Sequence, residues 1–213
     1  MARAGLIAVA TAIVAAGSAE PVLVLNFASA KNPGGGFLSG SQAQEESLAR
    51  SSGLYASQMQ AWDFYERHRA NPSCLYSHAM IYSPACPVFA DDDGHLLEQA
   101  QLLSFVTSAA PNAGAVASNH ADDLPLVPVV LKERAELVLT LARAKGYQRL
   151  LLGAWGCGVF RNDPQMVARS FIDLLRSPAW DGQFSQILFS VRDHSREQAT
   201  FHAFQMACDQ QLA

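Results

Sequence analysis

Glu45 and Glu46 are neighbours, and Gln44-Glu45-Glu46 follows three successive glycines, Gly34-Gly35-Gly36, after a seven-residue interval. Glycine has no Cβ, so a run of three lets backbone approach a ligand closely. Two carboxyls directly behind such a loop can do acid–base chemistry on whatever the loop holds. The apolar run Val22-Leu23-Val24-Leu25 precedes the loop and reads as the buried strand that carries it. The same residues have a plainer reading. Ser41-Gln42-Ala43-Gln44 fits a capping box, with Ser41 as N-cap and Gln44 three places on. Glu45 and Glu46 would then only complement the helix dipole. The glycine triplet weighs against this, because ordering Asn32-Pro33-Gly34-Gly35-Gly36 costs backbone entropy that a turn alone seldom demands.

A second glycine loop, Gly153 to Phe160, follows the short apolar run Leu150-Leu151-Leu152 and precedes a helix opened by Asp163-Pro164. That is where open α/β sheets bind ligands. Its order, G-x-x-G-x-G, is not the dinucleotide fingerprint, and the acid expected about twenty residues on is missing. The bare amides of Gly156 to Val159 can instead form a donor nest for a diphosphate. Trp155 reads as a core residue. Cys157 reads as a small residue with no thiol chemistry.

The elements that must hold these loops alternate along the chain. After a strand at 22–26, helices are expected near 42–51 and 54–69, strands at 75–82, 87–90 and 102–108, and an amphipathic helix at 125–145 closed by Gly146. A strand at 150–152, a helix after 163, a strand at 184–191 and a helix at 195–211 complete the order. Helices interleaved with buried strands give an α/β/α sandwich. Asp91-Asp92-Asp93-Gly94 lacks the alternation of a calcium loop and reads as a hairpin turn. Arg3 and the apolar run to Gly17, with Ser18-Ala19 behind it, could pass for a secretory signal. The weakly charged start favours an alanine-rich helix packed on the sheet, turning at Gly17-Ser18 into the first strand.

The chain has 213 residues, half of them hydrophobic and 16% charged, enough for one domain with a substantial core. A net charge of −4 argues against general nucleic-acid binding, so no direct DNA contact is expected. Cys74, Cys86, Cys157 and Cys208 show no paired spacing, nor do the histidines, so neither a disulfide framework nor a metal site is expected. A reducing, cytoplasmic setting with no membrane span is the easier reading.

Residues 26–36 with Gln44-Glu45-Glu46, then 46–55, 80–84, 110–114 and 153–164, resemble the signature of bacterial-type poly(ADP-ribose) glycohydrolases, in that family's order. Those enzymes are catalytic members of the macrodomain fold. The resemblance implies one macrodomain over 1–213 with a mixed central sheet, its N-terminal helical segment at 1–21 shorter than the family usually carries. It implies poly(ADP-ribose) or ADP-ribose as ligand, poly-ADP-ribosylated proteins as substrates, and no cofactor. It also implies the site: Glu46 and Glu45 as the catalytic residues, Glu46 the acid and Glu45 positioning the sugar, with Ser29, Asn32, Gly34, Gly35, Gly36, Gln44, Gly156, Cys157, Gly158, Val159 and Phe160 around the substrate. Phe160 is the ring expected to pack on the distal ribose. Several aromatics, Tyr82 and Phe105 among them, qualify to stack on adenine.

Cleaving a ribose–ribose bond passes through an oxocarbenium-like state and needs a proton for the leaving oxygen and a water for the anomeric carbon. Successive helical residues diverge by about 100°, so Glu45 and Glu46 cannot flank a bond. One carboxyl must then serve as acid and afterwards as base, and the resemblance assigns this to Glu46. A helix N-terminus favours an ionised carboxyl, whereas a general acid wants its proton held. Burial under the sugar, the neighbouring like charge and the diphosphate oppose the dipole and are expected to win once substrate is bound. Rival readings are a macrodomain that only binds ADP-ribose, a hydrolase of ADP-ribose phosphate or acyl esters, and an unrelated secreted α/β domain. Two acids facing a diphosphate speak against the first, and the Gln-Glu-Glu run against the second.

Overall fold

A computed structural model describes residues 1, 5–15, 20–193 and 195–209. Its centre is a five-stranded sheet in the order β2-β3-β1-β4-β5, formed by β1 (Val22–Phe27), β2 (Ile81–Ala90), β3 (Leu96–Ser108), β4 (Arg149–Gly153) and β5 (Gln186–Ser190). β1 runs parallel to β3 and β4, and β4 to β5, while β2 is antiparallel to β3, which makes the sheet mixed.

The central strands are apolar at successive positions because both faces are covered. Leu23, Leu25, Leu150 and Leu152 point into a core shared with α6 (Val127–Ala144), α7 (Pro164–Leu175) and α8 (Ala199–Asp209). Val22, Val24 and Leu151 point into a second core with α1 (Leu6–Ala15), α2 (Gln44–Ser51) and α3 (Leu54–Met59). The result is the expected α/β/α sandwich. Ile7, Val9 and Ala10 are buried against the sheet, so α1 packs as an apolar helix. Asp92 caps it from the β2–β3 turn, accepting from the amides of Ile7 (3.3 Å) and Ala8 (2.8 Å). The expected turn at Gly17-Ser18 lies outside the described residues. Among the described residues no helix is long and apolar enough to cross a membrane.

Several expectations change. The strand expected at 75–82 begins only at Ile81 and runs on as β2 to Ala90. β2 accommodates Pro84 and Pro87 because it is an edge strand, with a register shift between Ser83 and Cys86 where Ala85 has φ +49°. The helix expected at 54–69 is two, α3 and α4 (Trp62–Ala70). A short helix α5 (Ala113–Asn119) and a 3-10 turn at Ala121–Leu126 precede α6. β3 starts earlier than expected, β5 is shorter, and α8 begins at Ala199, with 210–211 outside the described residues. The hairpin turn at 91–94 is present: Asp91 Oδ1 accepts from the amides of Asp93 and His95, and Gly94 has φ +88°.

Candidate active site

A cavity of about 660 Å³ opens at the carboxyl ends of β1, β4 and β5. The first glycine loop, the start of α2, the second glycine loop and the segment after β5 line it. α2 begins at Gln44, with Ala43 as an N-cap that offers no side-chain bond, so the capping box on Ser41 does not form. Gln44 bonds the sheet instead: its Nε2 donates to Leu25 O and its Oε1 accepts from the Phe27 amide, both at 2.8 Å. That pins the first turn of α2, and with it both acids, to the end of β1.

The two carboxyls are treated differently. Glu45 is 2% exposed and fully engaged: Oε1 accepts from Asn26 Nδ2 (3.0 Å) and Gln58 Nε2 (2.8 Å), and Oε2 from the Ser29 amide (2.6 Å). Burial raises its pKa to about 7, with the Glu46 charge adding and the three hydrogen bonds opposing. Glu46 has one oxygen occupied, Oε1 accepting from the Gly36 amide at 2.9 Å. Its Oε2 is buried without a partner, and the residue lines the cavity. A buried carboxylate oxygen left unpaired is costly unless something else uses it.

The glycine triplet serves the acids as much as any ligand. Gly34 donates to Gln58 Oε1 (2.8 Å), Gly35 to Asn32 O (3.0 Å) and Gly36 to Glu46. None of the three amides points free into the cavity, and Gly34 does not line it. Gly34 and Gly35 take left-handed backbone, φ +65° and +61°, and a Cβ on Gly35 would overlap Glu46 Oε1. Ser29 and Asn32 reach the cavity, Ser29 Oγ holding the turn by accepting from the Lys31 and Asn32 amides.

The second loop is the freer one. Cys157 spends its amide on Ala154 O (3.1 Å), but among the described residues those of Gly156, Gly158, Val159 and Phe160 meet no protein acceptor. Of the amides expected to form a nest, Gly156 to Val159, those of Gly156, Gly158 and Val159 are thus open, while that of Cys157 is engaged. Burial pushes the Cys157 thiol up to about 12, which leaves no thiolate. Trp155 is buried core, its indole donating to Ser108 O at 2.9 Å, while Phe160 lines the cavity. Phe105 is fully buried in the second core and Tyr82 bonds Tyr147 away from the cavity, so neither candidate can meet an adenine there.

Other contributors lay beyond sequence reasoning. Gln58 joins the glycine loop to Glu45; its one local sign is that it follows Leu54 by four on a face of α3 that is wholly buried. Arg192, Asp193 and Thr200 border the cavity from a segment without motif. Among the described residues Asp91, Asp93 and His95 are the one group able to hold a metal, and they sit on the exposed hairpin.

Known proteins resemble the chain over most of its length. Residues 2–91 match the family described as microbial-type PARG, catalytic domain. No curated protein sequence matches. Poly(ADP-ribose) glycohydrolase from Deinococcus radiodurans, solved with ADP-ribose, is 44% identical with a TM-score of 0.93, over 99% of this chain and 83% of that one. The enzyme from Thermomonospora curvata is 45% identical with a TM-score of 0.92, over 97% and 74%. Its complex with the inhibitor ADP-HPD is likewise 45% identical with a TM-score of 0.91, over 96% and 76%. A likeness of this depth over nearly the whole sequence, joined to paired acids between two glycine loops, means that the chain belongs to the bacterial poly(ADP-ribose) glycohydrolases.

Proposed function

We propose that the protein hydrolyses ribose–ribose O-glycosidic bonds of poly(ADP-ribose) and releases ADP-ribose, with Glu46 as the one carboxyl that serves both chemical steps. The observation that carries this is the buried, unpartnered Glu46 Oε2 at the cavity, beside a Glu45 whose oxygens are both engaged. Glu46 gives its proton to the leaving ribose oxygen as the anomeric C–O bond breaks. Its carboxylate then takes a proton from the water that adds to the oxocarbenium carbon, which restores the acid. The Gly36 amide holds the other Glu46 oxygen in place throughout.

Glu45 orders the surroundings. Through Asn26, Ser29 and Gln58 it locks β1, the first loop and α3 around the sugar site. The free amides of the second loop suit a diphosphate, and Phe160 suits the face of the distal ribose. Poly-ADP-ribosylated proteins are the substrates this chemistry implies. The cysteines, all free, support a cytoplasmic setting. The test is release of ADP-ribose from poly(ADP-ribose) by wild type and Glu46→Gln, with ADP-ribose binding measured for both. Turnover by wild type alone, with binding retained in the variant, is the expected result; binding without turnover in wild type refutes the proposal.

A further inference from the structure

Tyr76 has left-handed backbone, φ +58°. A residue with a bulky side chain holds that conformation only where its surroundings impose it, and such residues gather at functional sites. Here the surroundings are specific. Arg134 of α6 has no exposed surface, and among the described residues no carboxylate bonds it. Its guanidinium goes mostly to carbonyls: Nη2 donates to Leu75 O (3.0 Å) and Tyr76 O (3.2 Å), and Nη1 to Ala109 O (2.6 Å), with Nε donating to His78 Nδ1 (3.4 Å). Asn112 ties the same loop down through Cys74 O at 2.9 Å. Burying a cation to hold three carbonyls is a costly way to fix a loop that does nothing else.

The fixed turn aims a ring. The Tyr76 side chain lies between His68, 5.8 Å away edge-on, and Phe160, 6.0 Å away between centroids. His68 is itself buried and bonded to Phe64 O and Ser77. Phe160 is tethered by its carbonyl, which accepts from the Gly114 amide at 3.0 Å, but its side chain has free space on the cavity side. Tyr76 is thus the wall behind the ring that borders the sugar site.

We infer that Tyr76 is a positioning residue: its ring backs Phe160 and keeps Phe160 pressed toward the ribose, and the Arg134-held turn exists to place it. The inference rests on the proposed role of Phe160. Without the wall, Phe160 can rotate away from the cavity, the sugar loses its lateral support, and the anomeric carbon drifts from Glu46. Such a loss falls on kcat more than on KM, because most of the ligand's contacts survive.

The test compares wild type, Tyr76→Gly and Tyr76→Phe in steady-state release of ADP-ribose from poly(ADP-ribose), with melting temperature recorded for each. Glycine keeps the left-handed turn and removes the ring, so a purely structural role predicts a lower melting temperature with unchanged kcat. The expected result is a kcat lower by roughly 10- to 100-fold in Tyr76→Gly, with KM within about threefold. Tyr76→Phe, which keeps the ring, is expected to retain wild-type kcat. A wild-type kcat in Tyr76→Gly overturns the inference and leaves the glycohydrolase reading standing, and so does an equal loss in both variants. An inactive wild type overturns both.

Discussion

Replacing Gly35 by alanine sets one methyl group against the Glu46 carboxyl, the acid proposed above. The added Cβ would overlap Glu46 Oε1 and come within 3.2 Å of Glu45 Oε2, and the backbone there is left-handed at φ +61°. The conformational cost of a side chain in that region is roughly 1–2 kcal/mol. Pushing two packed carboxyls aside adds on the order of 1–3 kcal/mol. For a chain of this size the sum corresponds to a melting temperature lower by roughly 4–20 °C. The kinetic effect is separable. Glu46 must move to make room, and a displacement of about 1 Å costs on the order of 100-fold in rate. Gly40→Ala is the control, because Gly40 is also left-handed, φ +88°, yet its Cβ would meet nothing within 4 Å. It should show the backbone cost alone, with full activity. Release of ADP-ribose and thermal unfolding, measured on both variants, decide the matter. A folded Gly35→Ala with kcat within twofold of wild type refutes the reasoning, and so does equal loss of activity in Gly40→Ala.

Other expectations follow from the same geometry. Glu45 rises from 4.5 to about 7 on burial, so the folded protein holds that proton more tightly, and the associated stability is full below about pH 4.5 and lost as pH rises through 7. Denaturant unfolding should therefore show the wild type losing roughly 3 kcal/mol relative to Glu45→Gln between pH 4.5 and 7; a pH-independent difference contradicts this. Gln58→Leu leaves the buried Gly34 amide without an acceptor and takes a donor from Glu45. The cost should be about 2–5 kcal/mol in unfolding free energy, and a loss under 1 kcal/mol would mean that the network is dispensable. Arg192 is the one basic side chain among the described residues lining the cavity, and it is exposed. Arg192→Ala should weaken ADP-ribose binding by roughly three- to tenfold at low salt and by less at high salt, as calorimetry at two ionic strengths would show.

What could be read from the sequence was local. The apolar runs at 22–25 and 150–152 are buried on both faces, so composition alone marked them as central strands. The acids and both glycine loops are each contiguous runs, and residues of all three line the cavity. What stayed hidden depends on partners far away in sequence. Residues 75–80 look strand-like, but Arg134, more than fifty positions on, takes their carbonyls and holds them as a loop. The break between α3 and α4 falls at Gln60-Ala61, where no glycine or proline marks it. The role of the triplet was half visible. Its need for glycine was evident, but its neighbours proved to be carboxyls and the Phe37 ring.

The side-chain amide of Gln44 takes the place of a missing strand. Ala28 bonds Ser108 on the β3 side, so Leu25 and Phe27, of opposite parity, face β4, whose ladder with β1 ends at Val24. Gln44 fills that gap with the donor and acceptor a peptide unit would have offered. The acids are thereby indexed to the sheet directly, and not only through the seven residues between Gly36 and Gln44. That interval has ties of its own, Ser41 donating its amide to Gly36 O and accepting from Arg50, so a change of its length would be felt first at Gly36, whose amide holds Glu46, and only then at the anchored end of the helix.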